Sequence, residues 1–266
     1  MKRQEDIDLM PASELFPVQA YSELNPLADQ PCLFVCEHAS NYIPPAFSRL
    51  GLTAELLEEH ISWDFGAREV LEYLCQERGN AAVLCNYSRL MIDCNRPLDV
   101  DSSIPEKSEI YPVPGNQNLS EAERNLRVEH IFNPFHAAVL RQVERLKVNH
   151  DKFPVVGIHS FTPVFESFER PWKFSVMWKD DSPFTRAVVE HFQQHELANF
   201  VGFNEPYSAK TIRAYTTEHY EDVHGLPTVI FEVRQDLLRD QEGVRHWGDI
   251  IKQALEVGLE ALDHSD

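Results

Sequence analysis

Three short apolar runs, each breaking off at ionisable side chains, constrain this chain more than any other feature. The first is Leu33, Phe34, Val35 and Cys36, followed at once by Glu37 and His38. The second occupies residues 153–158 and ends on His159 and Ser160. The third begins at Pro227 and passes through Glu232 to Arg234 and Asp236. Runs rich in β-branched and aromatic residues, without polar alternation, predict strands covered on both faces. In open α/β sheets, ligands bind beyond the carboxyl ends of such strands, which is where His38 and His159 fall. A buried ionisable group costs several kcal/mol unless it is paired or metal-bound. One such group is easily a satisfied core residue or the start of a loop. Two histidines and a glutamate delivered by three strands predict one convergent site.

Helical patterns separate these runs. Thr53 is an N-cap candidate for a short helix ending near His60. Val70, Leu71, Leu74 and Cys75 have helical spacing, and Asp64 stands at or just before the start of that helix. An Asp there is most often an N-cap; the sharper reading is a metal carboxylate. Residues 81–86 read as a strand. Ser120 and Glu123 form a capping box opening a long helix through Leu126, Ile131, Phe135, Val139 and Leu146. Residues 173–178 read as a strand, Ser182 and Pro183 open a helix through Val188, Val189 and Phe192, and residues 200–207 read as a strand entering a polar turn. Residues 243–262 form the last helix. The alternation predicts an α/β three-layer sandwich with a central mixed, mostly parallel sheet. Residues 1–30 are expected to be an irregular arm on a single domain spanning 1–266, since no linker is visible. The stretch 99–118, rich in Pro, Ser, Asn and Gly, is expected to be a long functional loop or lid. His130 and His136 lack partners at metal spacing and read as packing or surface residues. His191 and His195 lie i, i+4 without the Glu of a zincin motif and read as helix surface.

The 266 residues carry a formal net charge of −19, which argues against a nucleic-acid or anionic-membrane partner. It also means that an acidic substrate needs local cations. Arg89 and Arg96 flank Asp93 and Asn95, and Arg234 follows Glu232 by two residues. These arginines either neutralise acids such as Asp93 and Asp236 or grip a carboxylate bidentately, a task suited to Arg. The five cysteines show no metal spacing and read as small buried hydrophobes. The N-terminus lacks the apolar core of a signal peptide, and no apolar run has the length of a membrane span, so a reducing cytoplasm is the expected compartment.

Catalytic zinc sites use three protein ligands, mostly His and carboxylate, with one position left for water. His38, Asp64 and His159 would supply such a set, leaving Glu232 as the base that takes the proton of water. Glu37 is the alternative carboxylate ligand. Alternation along the strand sends Glu37 and His38 to opposite faces, which favours Asp64 unless the strand has already ended.

Eight stretches in order resemble the N-formylglutamate amidohydrolase family. They are residues 36–41, 63–67, 87–90, 92–97, 113–116, 157–161, 204–207 and 231–237. The resemblance implies a zinc-peptidase-like fold, akin to zinc carboxypeptidases and cell-wall amidases, and hydrolysis of the amide bond of an N-acyl acidic amino acid. N-formyl-L-glutamate, split to glutamate and formate in histidine catabolism, is the expected substrate. Similarity to the cell-wall amidases supports the order His38, Asp64, His159 and Glu232, although those enzymes have Glu where this chain has Asp64. Residues 93–96 are also similar to a motif of acylamino-acid deacylases. The expected site is then Zn²⁺ on His38, Asp64 and His159, with Glu232 and Arg96 catalytic, and Ser40, Arg89, Asn95, Arg96, Asn116 and Arg234 contacting a small acidic N-acyl amino acid. A deacylase acting on another N-acyl amino acid or small amide, and a binding protein that has lost catalysis, are the competing readings.

Overall fold

The computed structural model describes residues 10–265. Its main sheet has seven strands: β1 (Tyr21–Leu24), β2 (Leu33–Cys36), β3 (Ala81–Cys85), β4 (Val155–Phe161), β5 (Phe174–Met177), β6 (Val201–Phe203) and β7 (Thr228–Arg234). Their spatial order is β1-β3-β2-β4-β7-β5-β6. The pairs β3–β2, β2–β4, β4–β7 and β5–β6 are parallel, whereas β1–β3 and β7–β5 are antiparallel. The sheet is therefore mixed and mostly parallel, as the alternation of strands and helices predicts.

Side chains that alternate along the central strands fill two cores. Phe34, Cys36, Val156, Ile158, Val229 and Phe231 pack on one face against helices α1 (Ala67–Arg78), α4 (Pro183–Gln194) and α6 (Gln241–Asp263). On the other face, Leu33, Val35, Val83 and Val155 meet Phe135, Val139 and Tyr220. Those residues belong to α3 (Asn133–Leu146) and α5 (Tyr215–Asp222). The capping box of Ser120 and Glu123 opens α2 (Glu121–Arg127), which runs through one π turn at Val128–Phe132 into α3. No helix among the described residues is long and apolar enough to cross a membrane.

Three segments differ from expectation. The arm is not irregular throughout: Tyr21–Leu24 pairs antiparallel with β3 as an edge strand, too short and too evenly half-buried to show a pattern. Residues 1–9 of that arm lie outside the described residues. Helix α5 is only eight residues long and rich in Thr and aromatic side chains, which hides it from a periodicity reading. The 99–118 stretch contains a small hairpin, Lys107–Ser108 with Tyr111–Pro112, and two 3₁₀ turns. Asn116 fixes this loop: its amide donates to the Leu90 and Pro105 carbonyls at 2.8 Å each, and its oxygen accepts from the buried Arg127 at 2.7 Å.

Candidate active site

Strand β2 ends at Cys36, so Glu37 and His38 leave the sheet as a buried turn. Glu37 keeps the orientation of Leu33 and Val35, toward the face covered by α5. There its carboxylate accepts from the Thr216 hydroxyl and meets His159 Nε2 at 3.0 Å. The His38 carbonyl accepts from the Asp64 amide at 3.0 Å, which docks the turn before α1 onto the end of β2. That turn reaches α1 through Gly66 at φ +81, where a Cβ would lie 2.4 Å from Leu238. No side chain caps α1 at its N-cap, Gly66. The Asp64 carboxylate is instead turned inward, its Oδ2 lying 3.2 Å from His38 Nδ1 and 2.8 Å from His159 Nδ1.

The ligand atoms of His38, Asp64 and His159 all lie within 4.8 Å of one another, and all three residues are buried. Each histidine presents Nδ1 to Asp64 and Nε2 to another carboxylate: His38 to Asp93 at 2.7 Å, His159 to Glu37 at 3.0 Å. Histidines that ligate metals characteristically hand their second nitrogen to a carboxylate, which fixes tautomer and ring plane. The donor set therefore fits a divalent cation, with Glu37 standing behind His159. Burial opposes charge on His159, but its hydrogen bonds to Asp64 and Glu37 outweigh burial and raise its pKa to about 10. Burial likewise pushes the Asp64 and Asp93 carboxyls up, and the charge of His38 and neighbouring partners overrides it, leaving both below the usual carboxylate range.

Parallel pairing of β4 and β7 sets Glu232 directly beside His159. Glu232 is buried, and its Oε2 has no hydrogen-bond partner among the described residues. Burial raises its pKa to about 7, with His159 opposing and Asp64 adding to the rise. A carboxylate held near neutrality and left unpartnered is suited to taking a proton.

These groups line one cleft of about 270 Å³, together with Arg89, Asn95, Arg96, Lys107, Glu109 and Tyr207. Arg89 bridges the acids, 2.9 Å from Asp93 and 3.4 Å from Asp64. Asn95 is occupied in holding α5, its Oδ1 accepting from the Thr216 amide at 3.2 Å. Arg96 donates to the neighbouring Asn95 carbonyl at 3.0 Å and forms no ion pair among the described residues. The structure does not bring Arg234, Ser40 or Asn116 into this lining. Arg234 ends β7 where the chain turns into a 3₁₀ turn, and its guanidinium meets Asp236 at 2.8 Å and the Arg170 and Trp172 carbonyls. The Ser40 hydroxyl accepts from the Tyr42 amide at 3.1 Å within a turn. Sequence reading did not single out Tyr207, Arg170 or Thr216. Tyr207 stands in one of the eight matching stretches, which was its one available signal; Thr216 lies in the helix that periodicity hides.

Comparison with known proteins places the chain in a family. The family model for N-formylglutamate amidohydrolase matches residues 30–239. Among solved structures, gene product Atu2144 from Agrobacterium tumefaciens is 32% identical with a TM-score of 0.86, over 96% of this chain and 99% of its own. An N-formylglutamate amidohydrolase from Ralstonia eutropha JMP134 is 16% identical with a TM-score of 0.62, over 93% of this chain and 100% of its own, and shares the fold. A search of curated proteins finds no match. By the family model over most of its length, the chain belongs to the N-formylglutamate amidohydrolase family.

Proposed function

We propose that this protein is a metal-dependent amidohydrolase that cleaves N-formyl-L-glutamate to glutamate and formate, with Zn²⁺ held by His38, Asp64 and His159. The observation that carries the reading is the unpartnered, buried Glu232 carboxylate set beside that three-residue cluster. A zinc ion bound there would polarise the formyl carbonyl and lower the pKa of water. Glu232 takes the proton of the attacking water and hands it to the departing amine nitrogen, so that one carboxyl serves as base and then as acid. Glu37 and Asp93 hold the two imidazoles in the tautomer that leaves Nδ1 free as a donor atom. Arg96, not engaged by an acid among the described residues, grips a substrate carboxylate, which the net charge of −19 would otherwise repel. Arg89 lines the same cleft and braces Asp64 and Asp93.

A second reading has one observation behind it. Met177, Ala214 and Ile230 form an apolar wall of the cleft, which suits an acyl group larger than formyl. The test is a panel of N-formyl, N-acetyl and longer N-acyl forms of glutamate and of a neutral amino acid, run with measured zinc content. Glu232→Gln should keep its zinc and lose turnover by about 10²–10⁴-fold, the usual worth of a positioned base. Activity of that variant within a few-fold of the parent would remove Glu232 from the mechanism. A parent enzyme idle toward every N-acyl glutamate would remove the substrate assignment.

A further inference from the structure

Arg170 has no role in the reading above, yet its placement is costly. It is 5% exposed, and among the described residues no carboxylate lies within ion-pair distance. Its guanidinium is enclosed by rings, 4.8 Å from the centroid of Tyr207, 4.9 Å from Phe165 and 5.7 Å from Phe161. One of its nitrogens donates to the Thr162 carbonyl at 3.2 Å, and another donates to the Tyr207 hydroxyl at 2.8 Å. A guanidinium has only donors, so the Tyr207 oxygen is the acceptor in that bond. The phenolic hydrogen is left over, and no described residue accepts it. Tyr207 lines the cleft and lies within electrostatic reach of Glu232.

The turn that presents Tyr207 is held in place. The Asn204 amide donates to the Val176 carbonyl at 2.9 Å, and the Asn204 side-chain oxygen accepts from the Trp178 and Ala209 amides. Gly202 allows the turn to fold back, since a Cβ there would lie 2.1 Å from the Glu205 carbonyl oxygen. Burial and the Glu232 carboxylate raise the phenol above its ordinary pKa, so it keeps its proton at neutral pH.

We propose that Tyr207 donates its phenolic hydrogen to the oxygen of the scissile carbonyl as negative charge develops there, and that Arg170 is the positioning residue that aims and polarises it. The inference rests on the hydrolase reading. A permanent carboxylate is best met by a guanidinium directly, as Arg96 is free to do. A cation withheld behind a phenol favours charge that appears only in the transition state, where a fixed donor in a dry site is most effective.

Tyr207→Phe should therefore lower kcat by about 10²–10³-fold, the usual worth of one such donor, with KM changed less than threefold. It should weaken a phosphoramidate of glutamate, a tetrahedral stand-in for the hydrated formyl group, by a similar factor. Binding of the product glutamate and zinc content should stay unchanged. Arg170→Met should reproduce part of the kcat loss, and Arg170→Lys should recover some of it. If Arg170→Met fails to fold, Tyr207→Phe alone decides. Unchanged kcat, or a raised KM with kcat kept, would overturn the proposal; the latter would make Tyr207 a ground-state contact. If the parent prefers another N-acyl amino acid, the substrate assignment falls, and the same variants run on that substrate decide the role of Tyr207 by the same two outcomes.

Discussion

Replacing Glu37 by Gln isolates one interaction behind the proposed zinc ligands. Glu37 is 1% exposed, and its two oxygens meet the Thr216 hydroxyl and His159 Nε2. Gln has the same shape: its carbonyl can accept from His159, and its amide can donate to the Thr216 hydroxyl, which rotates to accept. The substitution thus removes one negative charge and little else. Carboxylates behind ligating histidines are worth about 10–100-fold in metal affinity, which is about 1.4–2.7 kcal/mol. Full burial leaves no solvent screening to reduce that figure, and the isosteric exchange keeps the hydrogen bonds, so the expected loss is near the lower bound, about 10-fold. Competition for zinc against a chelator of known affinity measures it directly. A loss beyond about 10³-fold, outside that range, would mean that Glu37 is itself a ligand. An affinity within threefold of the parent would mean that His159 is oriented without it, and the reasoning from paired imidazoles would fail.

Two further outcomes follow from neighbouring groups. Arg96→Lys should raise KM for an acidic substrate by about 10-fold while leaving a neutral N-formyl amino acid unaffected, because an ammonium cannot reproduce a bidentate grip; equal effects on both substrates would place Arg96 elsewhere in the mechanism. Burial raises the Glu221 carboxyl to about pKa 7, against its hydrogen bond to Thr228. Between about pH 4.5 and 7 the folded chain therefore holds a proton on Glu221 that the unfolded chain releases, and this group's contribution to stability falls as pH rises. Glu221→Gln should be close to neutral at pH 4 and raise Tm at pH 8; thermal unfolding at both values reads the difference, and a variant destabilised equally at both would contradict the assignment.

Much of this architecture was legible because burial leaves a plain signature. Strands β2, β4 and β7 announce themselves as uninterrupted apolar runs, and their polar ends mark the side of the sheet where the site forms. His38, Asp64, His159 and Glu232 could be brought together on paper because each breaks such a run or stands at a helix start. What sequence did not carry was direction beyond the strand. Periodicity predicts that Arg234 shares a face with Glu232, but β7 ends at Arg234 and Asp236 captures its guanidinium. Alternation also frames Glu37 and Asp64 as rivals for one ligand position, whereas the turn after Cys36 lets both approach His159 from opposite edges of its ring. Tyr207 and Arg170 were out of reach for another reason: they meet between the turn at 204–207 and the end of a second small hairpin, Val164–Phe165 with Phe168–Glu169, where no repeating pattern encodes a neighbour.

The pairing of Glu232 with His159 is one rung of a seven-residue parallel ladder. A slip of one residue would send Glu232 into the space that Phe231 fills in the opposite core and drive Phe231 into the cleft. The same register that seals the interior thus aligns Glu232 with His159, and neither can drift while the core remains packed. The rim of the cleft is built otherwise, from the 107–112 hairpin, which sits outside that ladder. On the proposed reading, hydrolytic machinery and substrate preference are therefore mechanically separable in this fold: substitutions in the 107–112 hairpin would change which amide is admitted while the ladder keeps Glu232 beside His159.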